Sequence, residues 1–110
     1  MDEDEREETR DRFGELVNMT PAALEKWLAS EESKDAGQHK DGGESTGHAS
    51  GRRIVELLRT AKGDLTDDDY RHMRKVVGYI RRHLAQRPSG DVRETRWRYS
   101  LMNWGHDPLA

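Results

Sequence analysis

One helix in the second half of the chain constrains the fold more than any other feature. Thr66 and Asp69 have the spacing of a capping box, and residues 67–69, all Asp, suit the positive end of a helix dipole. An apolar stripe follows at helical spacing, formed by Met73, Val76, Val77, Ile80 and Leu84. A Pro-Ser-Gly segment at 88–90 ends the pattern. The sequence therefore predicts a long amphipathic helix over residues 67–87.

Shorter helices are predicted on either side of this one. Apolar spacing, cap residues and Gly or Pro stops place them at about residues 10–18, 20–29, 51–62 and 94–103. The cap of the third is Ser50 or, a few residues earlier, Ser45. No stretch alternates as a strand does. We expect an all-α fold: a compact bundle of four to five helices with a long central amphipathic helix and a flexible Gly-rich loop.

Charge outweighs apolar content along the chain. Of 110 residues, 37% are charged and 32% hydrophobic, whereas ordinary globular proteins have about 25% charged residues. A core is possible but thin, so a partner or self-association could supply further burial. The chain has no cysteine, which excludes disulfides and thiolate metal sites.

Local composition predicts the domain organisation of the chain. Residues 1–10 are expected to form an acidic, disordered or frayed tail, and residues 11–110 a single helical domain. A flexible loop is expected at about residues 30–49, where no large apolar residue occurs. Two interpretations of the loop remain open, namely a linker, which the composition favours, and a functional loop that orders on binding.

The two halves of the chain differ in charge. Residues 1–50 carry 6 basic and 14 acidic side chains, whereas residues 51–110 carry 13 and 8. This asymmetry is typical of polyanion contact, or of an acidic tail that competes for the basic surface. The candidate phosphate contacts are the cations of the last two helices: Arg71, Arg74, Lys75, Arg81, Arg82, Arg96 and Arg98. Double-stranded DNA is the expected partner, although charged helix faces are often only solvated.

Aromatic and histidine side chains allow two interpretations each. Trp97, Leu101 and Trp104 share a helix face, so the indoles are expected to be buried anchors, with NH groups that need acceptors. His72, Val76, Tyr79 and His83 also line one flank of the long helix. That flank could form a groove with titratable groups, but amphipathic residues bordering the core are the favoured interpretation.

The spacing of residues supports neither a metal site nor a catalytic nucleophile. The histidines, including His39 and His48 in the Gly-rich loop, lack the spacing of a zinc site, and no cofactor or metal is expected. Residues 47–51 place Ala49 where a nucleophile elbow needs serine. We expect no enzyme. An acidic N-terminus and the lack of a long apolar run predict a cytoplasmic protein with no membrane association.

A family resemblance rests on four segments: NMTPAALEKWL (18–28), GHASGRRIV (47–55), HMRKVVGYIRRHLAQRP (72–88) and TRWRYSLMNWGHDPL (95–109). Together they resemble a family of short, mainly bacterial proteins classed as a domain of unknown function, over roughly residues 12–109. Some members of that family carry the name DNA-binding protein, which is what the resemblance implies for this chain. The resemblance supplies no functional residues.

Two functions of different classes are therefore predicted. The first is DNA binding, in which a basic helical face contacts phosphates with weak or no base preference. The alternative is a protein-interaction or assembly module without a nucleic-acid role, in which a protein partner or a second copy covers part of the thin core. The arrangement of the arginines in the last two helices discriminates between these functions. One continuous unpaired patch would favour DNA binding, whereas neutralisation by neighbouring Asp and Glu side chains would count against it.

Overall fold

A computed structural model of the chain describes residues 1–36 and 45–110. These ranges contain six α-helices, a short 3₁₀ helix and no strand. The helices are α1 (Glu3–Leu16), α2 (Pro21–Leu28), α3 (Glu31–Ala36), α4 (Thr46–Leu58), α5 (Asp67–Leu84) and α6 (Arg96–Asn103), with the 3₁₀ helix at Lys62–Asp64. The all-α prediction is confirmed, and the described ranges hold one helix more than the upper limit predicted. None of these helices is long and apolar enough to cross a bilayer.

Side-chain caps set the starts of the helices that the sequence predicts best. At α5 the predicted capping box is present: the Asp69 amide donates to Thr66 Oγ1 at 3.1 Å, and the Thr66 amide donates to Asp69 Oδ2 at 3.0 Å. At α4 the cap is Ser45, whose Oγ accepts from the His48 amide at 3.0 Å. Ser50 instead lies buried inside that helix.

The core forms where α6 meets the other helices. α1 packs along α5 and α2 along α4, while α6 contacts α2, α3, α4 and α5. The short α6 therefore contacts more helices than the long α5, which the sequence predicts to be the central helix. The apolar side chains with 0% exposure are Leu24, Ile54, Val76, Ile80 and Leu101.

α1 begins well before its predicted start. Residues 3–10 are helical, where the sequence indicated a disordered or frayed tail at 1–10. Asp2 caps the helix by accepting from the Glu5 amide at 2.8 Å, and the acidic first turn complements the helix dipole. Contacts to α5 hold the segment, because Arg10 Nη1 donates to the Tyr70 hydroxyl at 2.6 Å.

The predicted loop at about 30–49 is wrong where the structure describes it. Its first part is α3, and its last residues belong to α4. α3 escaped prediction because it buries only small side chains, Ser33 and Ala36, and so has no stripe of large apolar residues. The remainder of the predicted loop, including His39, lies outside the described ranges.

α5 ends at Leu84, three residues before its predicted end at 87. Its last turn tightens, since the Gln86 amide donates to the His83 carbonyl at 3.0 Å. The Trp97 indole NH donates to the same carbonyl at 2.6 Å. α6 thus supplies a partner for the C-terminal end of α5.

Residues near both ends of the chain meet beside the α1–α2 junction. The Asp107 amide donates to Asn18 Oδ1 at 2.8 Å, and Asn18 Nδ2 donates to the Asp107 carbonyl at 2.9 Å. The Met19 amide donates to the Gly105 carbonyl at 3.2 Å. Gly105 has φ 83°, a left-handed conformation that ends α6 and turns the chain toward this contact.

Candidate functional site

The seven predicted phosphate-binding cations do not form one free surface. Arg71 lies 3.3 Å from a carboxylate oxygen of Asp68, one turn earlier in α5. Arg74 Nη2 lies 3.3 Å from Glu5 in α1, and its Nε donates to the Thr9 hydroxyl at 3.3 Å. Acidic residues therefore neutralise part of the basic face, as one of the two predicted arrangements requires.

Arg98 holds the C-terminal segment in place. Its Nε and Nη2 donate to the two carboxylate oxygens of Asp107, each at 3.1 Å, and its Nη1 donates to the Arg93 carbonyl at 2.9 Å. Burial of Asp107 opposes ionisation, but the hydrogen bonds from Arg98 and from the Leu109 amide outweigh it and lower the pKa of Asp107. The structure thus places Arg98 in a half-buried ion pair.

Arg96 binds the C-terminal end of α3. Its Nη2 donates to the Asp35 carbonyl at 2.9 Å, and its Nε donates to the Ala36 carbonyl at 3.3 Å. The Ser100 hydroxyl also donates to the Ala36 carbonyl, at 3.1 Å. These bonds satisfy helix-end carbonyls that have no partner within α3. Arg96 Nη1 has no hydrogen-bond partner among residues 1–36 and 45–110.

The remaining candidates are exposed along α5. Lys75, Arg81 and Arg82 form no ion pair with any residue in the two described ranges. Lys75 and Arg82 lie seven residues apart, and therefore on one face of the helix. These three side chains are the part of the predicted surface that keeps its charge free.

Lys75, Arg82 and Arg96 line a groove of about 940 Å³. α5 and α6 form its walls, and Ala36 at the end of α3 and the first turn of α4 border it. The other lining residues are Thr46, Gly47, Tyr79, His83, Ser100, Asn103 and Trp104. Every charged side chain in this described lining is cationic. The first turn of α4 adds the positive end of a helix dipole.

Five aromatic rings stack in sequence along the α5–α6 contact. The centre is the pair Tyr79–Trp104, whose ring centroids lie 4.1 Å apart with an interplanar angle of 13°. His83 continues the stack on Tyr79 at 5.1 Å and is followed by Trp97 at 6.5 Å, while His72 lies 6.4 Å from Trp104. Trp97 and Trp104 are 8% and 3% exposed, so the prediction that they anchor the last helix is confirmed.

Burial shifts the titration of the polar rings in this stack. It raises the pKa of Tyr79, against the opposing effects of a Ser100 hydrogen bond and the charge of Arg82. Burial also lowers the pKa of His83, whose Nε2 is buried without a hydrogen-bond partner in the described part of the chain. The neutral forms are favoured at these sites because the surroundings solvate charge poorly.

His72 lies at the other end of the stack, outside the groove. Its Nε2 lies 3.0 Å from Ser50 Oγ. Burial, reinforced by the charges of Arg53 and Lys75, lowers its pKa to about 4. Both interpretations of the predicted His/Tyr flank thus apply in part, since Tyr79 and His83 line the groove and His72 borders the core.

Asn103 is the residue at this site that sequence reasoning missed. Its side chain is 0% exposed. Asn103 Oδ1 accepts from the Trp27 indole NH at 2.8 Å and from the Ser33 hydroxyl, and its Nδ2 donates to the Ser33 carbonyl at 3.0 Å. Helical spacing gave no signal for it, because Asn103 follows Leu101 by two residues and so lies about 200° from it around α6. Asn103 is buried because α6 is surrounded by α2, α3, α4 and α5.

The described residues contain no cluster of three or more His, Cys, Asp or Glu side chains able to hold a metal ion. Of the two loop histidines considered for zinc, His48 has its Nε2 2.7 Å from the Leu28 carbonyl. His39 lies outside the described ranges.

The sequence profile of a family described as "Protein of unknown function (DUF3140)" matches residues 12–102, which is most of the chain. Neither the curated proteins nor the solved structures give a significant match. The matched range runs from α1 through nearly all of α6 and includes every helix that borders the groove. The chain therefore belongs to the DUF3140 family of proteins of unknown function.

Proposed function

We propose that this protein binds DNA by contacting backbone phosphates through Lys75, Arg81 and Arg82, with Arg96 at the edge of the contact. The observation that carries the proposal is the exposure of these three α5 cations without a carboxylate partner in the described ranges. An unpaired cation has no intramolecular contact to give up when a phosphate approaches. The proposed contact surface is therefore smaller than the predicted one. Arg98, Arg71 and Arg74 are left out because each already forms an ion pair within the protein.

The small number of free cations implies weak binding with a measurable salt dependence. Three to four phosphate contacts correspond to a salt slope of roughly −2.7 to −3.6, which lowers affinity roughly 40- to 150-fold between 50 and 200 mM salt. The sequence carries no recognition-helix signature, so we expect little sequence preference.

A mobility-shift titration with a duplex of random sequence at these two salt concentrations tests the proposal. Replacing both Lys75 and Arg82 with Gln should weaken binding at least tenfold and flatten the salt slope. The matched control replaces Arg59 and Lys62 with Gln, since it removes the same charge from the α4–α5 connection, outside the predicted set. No shift of the wild-type protein at low salt, or equal losses in the two double variants, would disprove the proposal.

The alternative, a protein-interaction or assembly module, has less support. Met1 and Leu109 are the only large hydrophobic side chains exposed in the described ranges, at 40% and 42%. They belong to opposite ends of the sequence, and single exposed apolar side chains are normal on a protein surface. Sedimentation equilibrium discriminates directly, because a concentration-dependent mass in the absence of DNA would favour self-association.

A further inference from the structure

We propose that the groove between α5 and α6 is a binding site for a small phosphorylated ligand. The proposal goes beyond DNA binding, although Lys75, Arg82 and Arg96 belong to both proposed sites; Arg81 lies outside the groove lining and belongs to the DNA contact alone. It rests on the charge of the lining, on the donors that remain unused, and on the size of the space.

The charge of the groove suits a polyvalent anion. Lys75, Arg82 and Arg96 bring three positive charges to the lining, and no described lining residue is acidic. The N-terminal end of α4, at Thr46 and Gly47, adds about half a positive charge. A single carboxylate would leave most of this charge uncompensated, whereas a phosphomonoester carries about −1.5 to −2 at neutral pH, and a diphosphate carries more.

Cationic donors without a carboxylate partner in the described ranges line the groove. Arg96 is fixed by its bonds to the end of α3, which leaves Nη1 available in a defined position. Lys75 and Arg82 have no ion pair in the described ranges. A phosphate oxygen can therefore bind these cations without displacing a carboxylate.

The size of the groove indicates a ligand larger than phosphate alone. Its volume of about 940 Å³ lies near the upper end of the roughly 300–1,000 Å³ typical of small-molecule sites. Tyr79 and Trp104, whose ring centroids lie 4.1 Å apart, add aromatic side chains to the lining. Aromatic lining suits an organic group attached to the phosphate.

Phosphate chemistry can come from a small molecule or from the DNA backbone, and the experiment separates these sources. The full-length chain is titrated by calorimetry with inorganic pyrophosphate, with adenosine 5′-diphosphate and with a short DNA duplex. We expect both small ligands to bind, with Lys75→Gln and Arg82→Gln each weakening them at least fivefold. Arg59→Gln is the charge-matched control and should change both affinities less than twofold.

The location of binding is read from the ¹H–¹⁵N spectrum. Pyrophosphate should shift the Trp104 indole NH and the Gly47 amide, which line the groove, and leave in place the amide of Gly63, which lies in the 3₁₀ helix and outside the lining. Arg81→Gln separates the two proposals, because Arg81 does not line the groove. It should weaken DNA binding without changing the affinity for pyrophosphate.

Two results would overturn the inference. One is the absence of heat and of spectral shifts with both small ligands at millimolar concentration, even if the duplex binds; the groove would then serve backbone phosphates alone or no anion. The other is binding that Lys75→Gln and Arg82→Gln weaken no more than Arg59→Gln does, which would mark a diffuse charge effect.

Discussion

The indole NH of Trp27 donates to Asn103 Oδ1 at 2.8 Å, joining α2 to the last turn of α6. The same amide group binds both the hydroxyl and the backbone carbonyl of Ser33 in α3. One fully buried side chain therefore fixes the positions of three helices, two of which border the groove. A buried polar network in which each member has partners rigidifies the core that surrounds it.

Removing this amide should destabilise the fold strongly. Asn103→Ala leaves the Trp27 indole NH and the Ser33 hydroxyl buried without their acceptor, so we expect a loss of about 2–4 kcal/mol in the free energy of unfolding. Urea denaturation followed by tryptophan fluorescence measures it. Asn18→Ala, which removes two exposed hydrogen bonds to Asp107, is the control and should lose about 1 kcal/mol. Equal losses in both variants would contradict the role assigned to Asn103.

Two helical glycines should respond to alanine with opposite signs. A Cβ at Gly51 would lie 2.5 Å from the Asn103 carbonyl oxygen and 2.7 Å from Leu28 Cδ2, whereas one at Gly14 would meet nothing within 4 Å. We expect Gly51→Ala to destabilise by about 2–3 kcal/mol through overpacking. Gly14→Ala should stabilise by about 0.5–1 kcal/mol, because alanine loses less backbone entropy. Thermal unfolding of both variants gives the signs, and a tolerated Gly51→Ala would show that α4 and α6 can move apart.

The histidines of the aromatic stack should make stability depend on pH between about 6.5 and 4. The folded-state pKa of His72 is lowered to about 4 by burial and by Arg53 and Lys75, although Asp69 and Asp68 oppose this. In this pH window the unfolded chain binds more protons than the folded protein does. The stability that neutral His72 contributes is therefore fully present above pH 6.5 and is lost as the pH falls toward 4. His72→Gln should flatten this part of the curve in urea titrations at several pH values. An unchanged slope would contradict the lowered pKa.

The contact between α1 and α5 should restrain DNA binding. Glu5 pairs with Arg74 at 3.3 Å, so Glu5→Gln frees a cation beside the proposed contact and removes a repelling charge. We expect DNA affinity at 50 mM salt to rise by up to about fivefold, since an exposed ion pair contributes at most about 1 kcal/mol. Glu31→Gln in α3, next to Lys34, makes the same change in charge and should alter affinity less. A mobility-shift titration compares the DNA affinities of the two variants. Equal gains in affinity would show that net charge, and not the ion pair with Arg74, causes the effect.

Local signals predicted the elements whose ends are capped and whose apolar residues recur. Thr66 with Asp69 located the start of α5, and the spacing of Trp97, Leu101 and Trp104 identified the buried face of α6. α3 carries neither signal, because its stability comes from Asn103 and Arg96, far away in sequence. Cap chemistry and periodicity describe a helix by itself, so they do not detect a helix that is held by its neighbours.

The sequence predicts which cations belong to the candidate surface but not which of them are ion-paired. The seven cations lie in the last two predicted helices, yet their pairing depends on contacts as distant in sequence as Glu5 with Arg74, which are 69 positions apart. The groove depends on the approach of α3 to α6 and could not be read from either segment. Sequence located the charge, whereas tertiary contacts decided which cations remain free.

The bonds between residues 105–107 and residues 16–19 have a consequence for biosynthesis. During translation, the α1–α2 junction emerges long before Gly105 and Asp107, the residues that supply its hydrogen-bond partners. The native structure can therefore be completed only after nearly all of the described chain has left the ribosome. Until then the early helices lack α6, and the apolar surface of α2 and α4 stays accessible to chaperones.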